Sequence, residues 1–176
     1  RTDILKEAGV TPPQTWEDMV TAAKTIQEKT DAAGVALPYG KLNGQNLMVW
    51  MNLLWGNGGD LFDADGNAGF NSDAGVAATE TYISYLTEEE IVPAGSAVFV
   101  EQDAVTSFKQ GNSAMLPVWW WVRSQLSDPE QSTLSADQIG FTALPSVAGA
   151  DRTTFTNTWI FGVTAESDNK DAATEF

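Results

Sequence analysis

The stretch "TPPQTWEDMVTAAKTIQEKT", residues 11–30, leaves little conformational freedom to the chain that carries it. Pro12 and Pro13 block a helix from starting earlier, Thr15 suits an N-cap, and Asp18 stands three residues on in a capping-box arrangement. Trp16, Met19, Val20, Ala23 and Ile26 then recur at helical spacing, which predicts a helix with one apolar stripe. Such a stripe has to be covered by a second layer. The next apolar segment, "GVALPY" from Gly34 to Tyr39, reads as a short buried strand and supplies it.

The alternation continues. "LMVWMNLLW", Leu47 to Trp55, is apolar nearly all round and predicts a buried helix, closed by "GNGGD". Asp65-Gly66 between Phe62 and Phe70 is a hairpin signal. From Ser72 to Glu90, Val76, Thr79, Ile83 and Leu86 mark a second long amphipathic helix. "EQDAVTSFKQG" predicts a shorter one, with Val105 and Phe108 inward and Gly111 as its stop. "SAMLPV", "IGFTALP" and "FTNTWIFGVT" are strand-like, and "DNKDAATEF" reads as a helix cut short. Helices interleaved with short apolar strands indicate an α/β layered domain. The opening "RTDILKEAGV" has no Met and no targeting stretch, so both ends read as those of a segment of a longer protein.

What such a domain does is narrowed first by what it lacks. There is no cysteine and no histidine, so a thiol nucleophile, a Ser-His-Asp triad and a Cys or His zinc site are all ruled out. A net charge of −15 argues against nucleic acid and against anionic lipid. No apolar run approaches the ~20 residues of a membrane span. "GNGGD" lacks the ending of a phosphate loop and follows a helix, so it is taken as a turn. "DADGNAG" has Ala68 and Ala74 where a calcium loop needs Gly and Glu, and no metal or cofactor is expected. A glycosidase would need a carboxylate pair beside an aromatic platform, and only Asp60 and Glu101 offer themselves.

Aromatic residues carry the positive signal. Seven residues are Trp, three of them consecutive in "LPVWWWVRS". Neither a strand nor a helix can turn Trp119, Trp120 and Trp121 to one side. At least one indole is left for something other than core, and the C–H face of a sugar ring is a common cover for such a plane. Arg123, Gln45, Asn46 and Asn157 would suit the accompanying hydroxyl contacts.

The order of these pieces, above all "TPPQTWEDM" and "FKQGNSAML", resembles the extracellular sugar-binding proteins of ABC importers, the family of the maltose-binding proteins. The resemblance covers essentially the whole chain. It implies an α/β lobe of the type II periplasmic-binding-protein kind, with helices packed on a short mixed sheet. It further implies residues 1–155 as the second lobe, 156–160 as a hinge crossing and 161–176 as the start of the return into the first lobe. Function would be carbohydrate binding, of an oligosaccharide, in an interlobe cleft, with no catalysis. The implied partners are the sugar and a membrane permease, and the implied state is a monomer, extracellular or periplasmic and anchored as a lipoprotein. Counting from Ala114-Met115, the family's stacking aromatic falls on Trp121, with Trp120 beside it and Trp119 left for the core. A second contact zone falls on Tyr39 to Trp50, from which Gln45, Asn46 and Trp50 are chosen. The hinge strand has Asn157 and Thr158 where the family often has Gly-Gly, which brings Asn157 and Trp159 into consideration. The alternatives are a glycoside hydrolase fragment and a stand-alone lectin-like module.

Overall fold

The capping box predicted at Thr15 forms. In the computed structural model, which describes residues 1–42, 44 and 46–176, Asp18 N donates to Thr15 Oγ1 at 3.0 Å and Thr15 N donates to Asp18 Oδ2 at 3.0 Å. The helix it starts, α2 (Trp16–Lys29), follows a short helix α1 (Thr2–Ala8). Trp16, Met19, Ala23 and Ile26 are buried as its stripe predicts, with Ala22 in place of the half-buried Val20.

That stripe lies on strand β1 (Ala33–Val35). Approach is so close that a Cβ on Gly34 would stand 2.2 Å from the Cβ of Ala23, which is why glycine is required there. The chain then forms α3 (Leu47–Gly56), α4 (Asp73–Thr87) and α5 (Glu101–Lys109) before strand β2 (Ser113–Met115). β2 pairs in parallel with β1, Ala33 opposite Ser113 and Val35 opposite Met115. The sheet of the described residues is therefore parallel, where a mixed one was expected. Gly111, in left-handed backbone at φ 80°, turns the chain from α5 into β2 and fits its predicted role as stop. Beyond β2 come a 3-10 turn at Trp120–Val122, the short α6 (Arg123–Leu126) and a terminal α7 (Lys170–Glu175).

The main core gathers α2, β1, α3 and α4 around Trp16, Leu37, Leu53, Leu54, Ala78 and Tyr85. Its least ordinary contact is an exchange between two tyrosines. Tyr39 Oη donates to the Tyr82 carbonyl and Tyr82 Oη to the Pro38 carbonyl, both at 2.7 Å, while the rings stack at 4.5 Å. Both phenols are pushed above their usual pKa by burial, so they stay protonated as donors.

Three sequence expectations fail in instructive ways. In α4 the buried residues are Gly75, Ala78, Tyr82 and Tyr85, each one position before the predicted Val76, Thr79, Ile83 and Leu86. The helix is thus turned by about 100°, one residue's rotation. Small Gly75 and Ala78 let its backbone come close, and the two tyrosines offer more area than Ile83, with an acceptor for the Tyr82 hydroxyl in the Pro38 carbonyl. Val76 and Ile83 face outward instead. Around Asp65-Gly66 the predicted hairpin shrinks to one bridge, Phe62 to Ala68, because Asp63 accepts the amides of Asp65 and Asn67 and closes a local turn. "IGFTALP" and "FTNTWIFGVT" form no ladder. The first, residues 139–145, does not pair with β2, and it lines a cavity of about 250 Å³ together with residues 114–120. The second has no neighbouring strand among the described residues, and Trp159, Ile160 and Phe161 are exposed.

Two outcomes follow for stability. Gly34→Ala should destabilise by at least the ~1–3 kcal/mol typical of overpacking, since Ala23 backbone stands in the way, whereas Gly162→Ala, which meets open space, should stay within about 0.5 kcal/mol. Urea midpoints would read both. Thr15→Ala should cost about 1 kcal/mol through the lost cap. The amides of Thr15 and Gln14 hold the Asp18 carboxyl below its usual range, so its contribution is present above about pH 4 and is lost as the pH falls through the lower folded value. Asp18→Asn should remove that acid dependence.

Candidate functional site

Parallel pairing sends both strands out at the same edge. β1 runs on to Tyr39 and Gly40, where Gly40 N donates to the Phe99 carbonyl at 2.7 Å and ties this end to the approach of α5. β2 runs on to Trp119. Crevices at the carboxyl ends of strands are where open α/β sheets hold ligands.

The three tryptophans separate there. Val122 N donates to the Trp119 carbonyl at 3.2 Å, closing a tight turn. Val122 is buried with Val105, Phe108, Leu126 and Leu134, and Trp119 is half-buried against the main core. The pair three residues apart faces the protein, so the two indoles between them face out. Trp120 is 86% exposed and Trp121 48%.

Trp119 is also the centre of a small constellation. Its Nε1 donates to Glu101 Oε2 at 2.7 Å. Its ring leans on Phe155 at 5.3 Å, and Phe155 in turn stacks on Trp55 at 6.1 Å with only 9° between planes. Four half-buried side chains are thereby gathered from the end of α3, the start of α5, the segment after β2 and the segment after Thr153. Burial pushes the Glu101 carboxyl above its usual range, and the hydrogen bond from Trp119 pulls against that rise.

The other predicted residues are scattered. Arg123 lays its guanidinium 5.5 Å above the Phe141 ring. Asn46 sits at the start of α3, half-buried, with no side-chain cap bond. Gln45 lies outside the described residues. Trp50 donates its Nε1 to Thr79 Oγ1 at 2.9 Å and meets Phe70 edge-on, so the structure assigns it to the α3–α4 interface. Asn157 is exposed in the extended stretch past Phe155, and Trp159 is 88% exposed. Asp60 is engaged in its own turn, accepting from Leu61 N at 2.7 Å, while Glu101 is held by Trp119. Sequence reasoning passed over Phe155, gave Trp55 no part in the site and treated Glu101 only as a possible acid. The usable signal was position, since Trp55 ends one predicted helix and Glu101 begins another.

Chemically the edge offers aromatic faces, outward indole N–H groups and a desolvated carboxylate with one oxygen committed to Trp119. Among the described residues no group of three carboxylates gathers as a metal site, and no helix is long and apolar enough to cross a membrane.

Residues 1–176 match the profile of the bacterial extracellular solute-binding proteins. A probable amino-acid ABC transporter periplasmic-binding protein of Sinorhizobium fredii is 29% identical over 175 residues, 97% of this chain and 38% of that protein. A probable ABC transporter-binding protein of Deinococcus radiodurans is 28% identical over 182 residues, 98% of this chain and 42% of its own length. Among solved structures, the maltose-bound MalE3 of T. maritima is 25% identical with a TM-score of 0.86, covering 99% of this chain and 45% of that one. An ABC transporter solute-binding protein of Agrobacterium radiobacter in complex with ribitol is 27% identical, with a TM-score of 0.82 over 99% of this chain and 44% of its own. The chain therefore spans less than half the length of these relatives.

Phe155 holds the constellation together by touching both Trp55 and Trp119. Phe155→Ala should cost about 1–3 kcal/mol, below the ~3–5 of a fully buried phenylalanine, because the ring is only half-buried. Tryptophan emission should shift to the red as both indoles become wetter.

Proposed function

Because the chain belongs to the bacterial extracellular solute-binding proteins, which serve ABC transporters, we propose that it is the second lobe of a sugar-binding member of that family. Residues 1–155 form the lobe, 156–160 cross a hinge and 161–176 begin the return into a first lobe. The ligand is an oligosaccharide held between the lobes, and the protein acts without catalysis as an extracellular or periplasmic monomer. A lipid anchor holds it at the membrane beside its permease.

The observation that carries this is the outward pair Trp120 and Trp121 at the carboxyl edge of the sheet. Indole faces left in water cost free energy until a partner covers them. A pyranose does so with its C–H face, while its hydroxyls take hydrogen bonds from N–H and side-chain groups. Trp121, half-covered already by the turn beneath it, is the main platform. Trp120 extends it, which favours more than one sugar unit. Arg123, Asn46 and Gln45 are the polar contacts, and Asn157 and Trp159 approach from the hinge. Trp50 joins this set only if ligand binding frees it from Thr79.

The hinge assignment draws support from the exposed run Trp159, Ile160 and Phe161, apolar side chains that a second body would cover. Closing one lobe on the other about a few linker residues is a known form of domain motion. Support for sugars also comes from the relatives, in that MalE3 of T. maritima holds maltose and a receptor of Streptomyces glaucescens holds acarbose at 25% identity. The relative in Sinorhizobium fredii is named for amino acids, so these are the competing class.

Calorimetric titration of the two-lobed protein with oligosaccharides and amino acids decides between them. The proposal expects binding to a neutral oligosaccharide, no release from chromogenic glycosides, and a Trp121→Ala loss of between about threefold and tenfold, the range of one stacked aromatic contact. Binding to amino acids alone would overturn it.

A further inference from the structure

Glu101 stands out among the acids of this chain. It is the first residue of α5, where a carboxylate favours the helix dipole. The capping task there is already taken, since Val100 N donates to Asp103 Oδ2 at 2.9 Å. Glu101 instead turns away from the helix amides and accepts from the indole of Trp119. Its second oxygen, Oε1, has no hydrogen-bond partner among the described residues, and neither ion pair found among them involves it. Glu101 is half-buried, yet Oε1 is not among the buried atoms left without a partner, so this oxygen is open to solvent and available to a ligand.

The surroundings indicate of what kind. Glu101 lies at the same sheet edge as Trp120 and Trp121, braced by Trp119, Phe155 and Trp55. Among the described residues no cation pairs with it, and Arg123, from the same edge, rests on Phe141. Resting on the sugar-binding reading above, we propose that Glu101 is a ligand-contacting, specificity-determining residue. Its free oxygen accepts hydrogen bonds from sugar hydroxyls, and its fixed negative charge excludes acidic sugars. The ligand class is thereby neutral or amino-substituted oligosaccharides, with uronic acids rejected. Accepting through a charged oxygen makes each hydroxyl contact about twice as strong as a neutral one, and a like charge opposite it is strongly penalised.

The test uses the two-lobed protein and matched probes: maltotriose, diacetylchitobiose, laminaribiose and cellobiose, each beside its uronic-acid counterpart, in calorimetric titration. Glu101→Gln keeps an acceptor for the Trp119 indole, so the fold is preserved, and a melting curve and the tryptophan emission verify that. The expected result is an about tenfold loss for the neutral probe that binds best, together with a narrowed gap to its acidic counterpart. Trp119→Phe separates positioning from charge. It removes the indole donor but leaves the carboxylate, so neutral affinity should fall while rejection of the uronic acid persists. If wild type binds a neutral probe and Glu101→Gln changes neither that affinity beyond threefold nor the acidic gap, the assignment of Glu101 is overturned and the sugar reading stands. If wild type binds none of the sugars, both fall together.

Discussion

The edge at which the proposed site lies depends on the parallel pairing of β1 with β2. Two parallel strands leave their sheet at the same end, so the chain must cross back between them, here through α3, α4 and α5. The crossover buries the helices on the sheet. It also gathers three things at one edge: the exit of β1 at Tyr39, the exit of β2 at Trp119, and the opening of α5 at Glu101. An antiparallel pair would have sent Tyr39 and Trp119 to opposite ends. Gly34 is what lets the pair sit directly against α2, since any side chain there would meet Ala23.

Around that edge the structure resolves an apparent excess of indole by a simple device. A 3-10 turn brings residues three apart onto one side. Trp119 and Val122 therefore share the protein face, and Trp120 and Trp121 share the other. The inward indole is further held by a carboxylate and by Phe155, so the turn that displays the two outward rings is fixed from behind. If the pair is the ligand platform proposed above, its rigidity means that little freedom is lost on binding, which favours affinity.

Much of the fold was legible in the chain. The helix from Thr15 was visible because capping is local chemistry among residues three apart, and Gly111 because a left-handed turn admits few residues. The face of α4 was not legible. Ranking by hydropathy chose Val76 and Ile83, whereas packing chose Gly75 and Ala78 for their smallness and Tyr82 and Tyr85 for their area, Tyr82 also for its acceptor at Pro38. At the site, the three tryptophans and their neighbourhood were visible as composition. That Trp119 would be braced by Phe155, which stacks on Trp55, and would find its acceptor in Glu101 was not, because those residues are separated by many positions and meet only when the sheet forms.

By itself, then, the sequence determined what depends on near neighbours: the capped helices, the α/β alternation, the exclusion of cysteine and histidine chemistry, and an indole cluster too large for one element to hide. Tertiary structure decided which way each element turns and which side chains meet. Those choices rest on volume, close backbone approach and partners for buried donors, quantities that exist only between segments brought together from far apart in the chain. The pairing of Glu101 with Trp119 is such a case: a helix's first residue and a residue just past a strand meet because two strands run the same way.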